Sequence, residues 1–183
     1  MASHSVATFV LLFTYFFLLP FSSASSSTTH EKIHSICAQT ENPNFCVNSL
    51  VGFLGDKKAD TNELAIVSIL LATAQARMNK YVVEHLMQSV DDPRTKNVLS
   101  MCDMDYGVAL KKLQDAYVLS DHKDYRGMID LVNDAVVATN DCTNGWKQLR
   151  NPPPSSSSLK DDNLKMVWFN NIAFVTLIML NNK

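Results

Sequence analysis

Glycine is scarce in this chain, 5 of 183 residues, where average usage of about 7% would supply roughly 13. That scarcity argues against folds rich in tight turns and against the glycine loops that cradle phosphates. A basic surplus is absent too. Lys plus Arg number 16 against 18 for Asp plus Glu, a formal net charge of -2, so nothing matches the cationic excess that tracks nucleic-acid backbones or anionic lipid. The sequence has no Cys-x-x-Cys pair, no Gly-x-Ser-x-Gly and no Asn-x-Ser or Asn-x-Thr triplet. These absences remove the usual zinc spacing, the serine-hydrolase elbow and the N-glycosylation acceptor. What is present is enough length for one domain with a single sizeable core, and a composition that favours helices.

The first two dozen residues stand outside that fold. Val6 to Leu19 is an unbroken run rich in apolar side chains, followed by Pro20 and by the small residues Ser22, Ser23 and Ala24. At about 14 residues the run is short of the roughly 20 needed to cross a bilayer, and small side chains at Ser22 and Ala24 suit signal-peptidase cleavage. Residues 1–24 read as a secretory signal peptide cleaved after Ala24, although no Lys or Arg precedes the apolar run.

In an oxidising compartment the four cysteines, Cys37, Cys46, Cys102 and Cys142, allow two disulfides in three connectivities. Position selects one of them. Cys37 and Cys46 flank the turn-forming run Thr40-Glu41-Asn42-Pro43, where a short helical hairpin would bring the sulfurs face to face. Cys102 and Cys142 have their midpoint inside Ser120-Asp121-His122-Lys123, and an antiparallel hairpin turning there puts both in one layer.

Apolar residues recur at helical spacing over most of the remainder. The series Leu64, Val67, Leu71, Ala74, Met78 and Tyr81 predicts a buried face, capped by Asp60 with Glu63 three residues on; continued, it puts His85 at the core boundary. Asp92-Pro93 opens a second helix whose buried face is Leu99, Cys102, Tyr106, Ala109, Leu113 and Ala116. A third, from about Asp124, buries Met128, Val132, Ala135, Thr139, Cys142, Trp146 and Leu149. Pro152 to Pro154 and Ser155 to Ser158 read as an exposed linker, after which Asp161 and Asp162 are expected to cap a last helix carrying Leu164, Val167, Trp168, Ile172, Val175 and Leu177. Met166 to Leu180 is read as part of that buried helix rather than a lipid-anchor tail, because Asn170, Asn171, Asn181, Asn182 and Lys183 interrupt or follow it. Four antiparallel helices result.

Several stretches together resemble the plant invertase and pectin methylesterase inhibitor family. Ile33-x-x-Ile36-Cys37-x-x-Thr40-x-x-Pro43-x-x-Cys46-x-x-x-Leu50 is similar to that family's N-terminal hairpin. Asp92-Pro93-x-x-Lys96, Cys102-x-x-x-Tyr106-x-x-Ala109-x-x-x-Leu113, Asp124-Tyr125, and Ala135 through Thr139 with Cys142 and Trp146 are similar to its second and third bundle helices. The resemblance implies an all-α inhibitor domain over residues 25–183. It comprises an N-terminal helical hairpin at 28–54 and an antiparallel four-helix bundle at 60–180 broken by a linker at 150–160, with disulfides Cys37 to Cys46 and Cys102 to Cys142. It further implies no catalysis and no cofactor. The expected partner is a plant carbohydrate-active enzyme, pectin methylesterase or acid invertase, bound 1:1 and blocked at its active-site cleft in the cell wall or the vacuole, with no nucleic acid and no stable membrane association after signal cleavage.

Inhibitors of pectin methylesterase in this family contact the enzyme just after the third cysteine and around the fourth. The matching positions here carry Met104, Val108, Lys111 and Lys112 after Cys102, with Asp141 and Asn144 beside Cys142. Lys111 and Lys112 at such an interface want an acidic partner surface. The Pro-Lys-Phe motif of invertase inhibitors is absent, and Asp92-Pro93 with Asp124-Tyr125 favours pectin methylesterase as the target.

One motif points to another class. His30-Glu31-Lys32-Ile33-His34 fits H-E-x-x-H, in which two imidazoles on one helix face bind zinc and Glu activates water. It sits a few residues after the expected cleavage point, with no His-x-x-Gly-x-x-His continuation. The reading preferred here packs Ile33 and leaves His30, Glu31 and His34 in solvent.

Overall fold

The computed structural model describes residues 28–149 and 156–182, which lie in six α-helices and one short 3-10 turn. The signal peptide and Pro152 to Pro154 fall outside the described residues. Helices α1 (Thr29–Cys37) and α2 (Pro43–Leu54) form the N-terminal hairpin, and α3 (Thr61–Ser89), α4 (Pro93–Leu119), α5 (Tyr125–Lys147) and α6 (Ser156–Asn181) form the bundle.

Most helices start where a side chain can satisfy the free N–H groups of a first turn. Thr28 with Glu31 and Asp60 with Glu63 make full capping boxes for α1 and α3. Asn42 caps α2 and Asp92 caps α4, each followed by Pro at the first helical position, where a missing N–H does no harm. Asp124 caps α5 after a turn in which Lys123 takes a left-handed conformation, φ 53°.

Each bundle helix packs on two neighbours in a ring, α3 on α4 and α6, α5 on α4 and α6. The pairs Cys102–Cys142 and Lys112–Asp134 run in opposite sequence directions, as do Thr139–Asn170 and Thr143–Asn163, so α4/α5 and α5/α6 are antiparallel. The expected face of α4 and most of that of α5 are buried: Leu99, Cys102, Tyr106, Ala109, Leu113 and Ala116 meet Met128, Val132, Ala135 and Cys142 in one core, with Trp146 and Leu149 only half-buried at its end. A smaller core joins hairpin and bundle through Ile33, Ile36, Leu50, Leu54, Leu64, Val67 and Ile172.

The structure corrects three expectations. On α3, Leu64 and Val67 are buried against the hairpin, but Ala74, Met78, Tyr81 and His85 are exposed. The bundle side of α3 is instead Ala65, Ser68, Ile69, Ala72, Ala76, Asn79 and Val83. This helix serves two partners with two different faces, and the apolar count followed the first of them past its end. On α6, Leu164 is exposed while Leu159, Asn163, Met166, Asn170, Ala173, Thr176 and Leu177 are buried. The same helix begins at Ser156 rather than after a linker ending at 160. Asp161 therefore lies inside the helix and Asp162 pairs with Lys165 at 2.9 Å. Burial of Leu159 outweighs the modest helix propensity of the serines before it. Leu159–Asn181 is apolar enough by composition to span a bilayer, but here its inner face completes the bundle core.

Candidate functional site

The candidate site is the outer face of α4 and α5, the two helices joined by the longer disulfide. Cys102 and Cys142 are wholly buried with Cα atoms 4.6 Å apart, so the cross-link lies beneath the face and sets the two helices in register. Tyr106, one turn beyond Cys102, donates its hydroxyl to Asn163 Oδ1 of α6 at 2.7 Å, and Asn163 Nδ2 donates to Thr143 Oγ1 of α5. Burial holds the Tyr106 hydroxyl above its ordinary pKa, so it stays protonated and keeps donating. Three helices are thereby tied behind the face.

On the solvent side, Met101 (40% exposed), Met104 (61%) and Val108 (48%) line up along α4, at the three- and four-residue steps of one helix face. Val137 of α5, 53% exposed, falls in the same layer as Val108 by the register of the two antiparallel pairs. Apolar side chains this open are unexceptional singly; aligned in a stripe they mark a surface suited to protein contact.

The charges around the stripe are largely matched within the chain. Lys111 Nζ meets both Asp115 carboxylate oxygens at 2.5 and 2.6 Å, and Lys112 Nζ reaches Asp134 Oδ2 across the helix pair at 2.7 Å. Lys80 of α3 pairs with Glu84 at 3.1 Å and with Asp103. The expectation that Lys111 and Lys112 seek an acidic partner is thus modified, because both ammonium groups already hold carboxylates. Asp105 and Asp141 have no such cation among the described residues. Partial burial, and secondarily the charge of Asp141, push the Asp105 carboxyl above its ordinary range, and its Oδ2 is buried without a hydrogen-bond partner. Asn144 is exposed and accepts from Lys147 Nζ at 3.4 Å.

The structure therefore brings Met104, Val108, Lys111, Lys112, Asp141 and Asn144 onto neighbouring helices, with all but Lys112, which is half-buried, clearly exposed. Met101, Asp105 and Val137 were missed in sequence. Stepping back three residues from Met104 would have found Met101; Asp105 and Val137 required the α4/α5 register.

The H-E-x-x-H stretch is arranged for capping. Ile33 is buried, while His30, Glu31 and His34 face solvent. The Glu31 carboxylate accepts the Thr28 N–H at 2.8 Å, which closes the capping box of α1. Among the described residues, no group of three His, Cys, Asp or Glu side chains is placed to hold a metal ion.

A disulfide-stapled bundle whose outer face carries aligned apolar side chains and paired charges offers a surface suited to protein contact. Comparison with known proteins gives the family. The family model described as "Plant invertase/pectin methylesterase inhibitor" matches residues 31–177, and this chain belongs to that family, a family of inhibitors and not of enzymes. Pectinesterase inhibitor 1 of Arabidopsis thaliana is 30% identical over 130 residues, covering 69% of this chain and 71% of that protein. A crystal structure of a mutant form of a pectin methylesterase inhibitor from Arabidopsis superposes with a TM-score of 0.73 at 25% identity, over 84% of this chain and 97% of that one. Another pectin methylesterase inhibitor structure from Arabidopsis thaliana gives 0.62 at 25% identity, over 82% and 96%.

Proposed function

We propose that this protein is a secreted inhibitor of pectin methylesterase, acting in the cell wall by forming a 1:1 complex that covers the enzyme's active-site cleft. The outer face of α4 and α5, with Met104, Val108, Lys111, Lys112, Asp141 and Asn144 and their neighbours Met101 and Val137, is the contact surface. The observation that carries this reading is that one buried disulfide holds both helices beneath an exposed apolar stripe. A face preorganised in this way loses little conformational entropy on docking, so more of its contact free energy appears as affinity. The family membership and the curated Arabidopsis relative support the target class.

Secretion is supported by the apolar leader within residues 1–24 and by two disulfides, a bond type that forms and persists chiefly in oxidising compartments. The test is to express the full chain in a secretory host, sequence the N-terminus of the released protein, and titrate it into pectin methylesterase and into acid invertase. Saturating inhibition of pectin methylesterase at one inhibitor per enzyme is expected. Inhibition of acid invertase alone would redirect the target, and inhibition of neither would remove the inhibitory reading.

A further inference from the structure

The chain has eight methionines, and the fold separates them sharply. Met128 and Met166 are 0% exposed in the bundle core, and Met87 and Met179 are partly covered. Among the described residues three stand open: Met78 (54%) on α3, and Met101 and Met104 on α4. The last two open the proposed contact stripe on α4, one helical turn apart. The Asn97 side-chain amide donates to the Met101 sulfur at 3.9 Å. All four cysteines are already oxidised in disulfides, so an oxidant meets no thiol among the described residues and the exposed thioethers become its first targets.

We propose that Met101 and Met104 form a peroxide-sensitive modification site that turns the contact face of the free inhibitor from apolar to polar and so keeps it from engaging the enzyme; this rests on the inhibitory reading of the same face. A sulfur lone pair of Met104 or Met101 attacks one oxygen of hydrogen peroxide. The O–O bond breaks, an S–O bond forms, and the proton left on the new S–O group passes to the departing hydroxide to give water. Sulfur is oxidised by two electrons and the peroxide is reduced by two. The product sulfoxide is a polar hydrogen-bond acceptor on a side chain that had been apolar and adaptable. Pressed into a dry contact without a donor, such a group opposes binding.

The experiment treats the secreted, disulfide-intact protein with graded hydrogen peroxide, maps oxygen uptake by peptide mass spectrometry, and measures inhibition of pectin methylesterase at each stage. Met78, Met101 and Met104 should gain oxygen before Met128 and Met166. Inhibition should weaken by about tenfold or more as Met101 and Met104 convert. Treatment with the paired methionine sulfoxide reductases, one for each epimer, should restore it, which unfolding or aggregation would not allow. A Met78→Leu variant should inhibit like the wild type and lose inhibition on oxidation to the same degree. In the Met101→Leu, Met104→Leu double variant, the ratio of inhibition before and after peroxide should stay near one, whatever its starting affinity. Inhibition that survives full conversion of Met101 and Met104 overturns this proposal alone. An untreated protein that inhibits nothing overturns the inhibitory reading and this proposal with it.

Discussion

The hydroxyl of Tyr106 lies 2.7 Å from Asn163 Oδ1 and 3.4 Å from Cys142 Sγ, so one fully buried oxygen links the side chain of α4 to α6 beside the disulfide that joins α4 to α5. Substituting Tyr106→Phe keeps the ring and removes the donor. Asn163, itself buried, is left with an unpaired acceptor, and the expected loss is about 1 to 3 kcal/mol. Urea denaturation of both proteins checks this; equal midpoints would mean that water replaces the lost donor.

The two disulfides should differ in weight. Cys102–Cys142 closes a separation of 40 residues and Cys37–Cys46 one of 9. Loop entropy alone favours the longer bridge by about 1 kcal/mol, and the longer bridge also lies in the main core. Paired Cys→Ala variants should therefore show the larger drop in stability for the bundle bridge, with digestion of the wild type yielding both linked peptides and no free thiol.

Stability should respond to pH through Asp105. Its carboxyl titrates above the ordinary range because of partial burial first and Asp141 second, so the folded protein takes up this proton at a higher pH than the unfolded chain does. The ionised group opposes folding at neutral pH, and that penalty is relieved as pH falls through the raised folded pKa towards the unfolded value. Asp105→Asn should raise Tm at pH 7, and the gap to the wild type should narrow on acidification. A gap that is constant between pH 7 and pH 4 would exclude the ionisation as its cause.

The contact face can be probed without disturbing the core. Val108 is exposed and makes no core contribution, so Val108→Asp should change stability by no more than about 0.5 kcal/mol. If the stripe meets the enzyme, the buried carboxylate should weaken inhibition of pectin methylesterase by tenfold or more, about 1.4 kcal/mol or greater. Full inhibition by a correctly folded Val108→Asp protein would move the contact elsewhere, with the hairpin of α1 and α2 the next surface to examine.

Much of this architecture is local in origin and could be read from the chain. Asp60 with Glu63 and Asp92 with Pro93 cap their helices through bonds spanning three residues, and the faces of α4 and α5 are regular because each is mostly apolar along one line. The Cys102–Cys142 pairing followed from the turn between the same two helices, and Cys37–Cys46 from the turn-forming run that separates them. Two kinds of information lay beyond reach. One is the burial of polar groups: Asn163 and Asn170 are hidden because each finds a hydrogen-bond partner on another helix, and a count of apolar side chains assigns such positions to solvent. The other is pairing between helices. Whether Lys112 is free to bind a partner depends on Asp134, 22 residues away, and which face of α3 is buried depends on where the hairpin stops and the bundle takes over. Periodicity within one helix sets that it is amphipathic; only packing against its neighbours decides the phase and which charges remain unmatched.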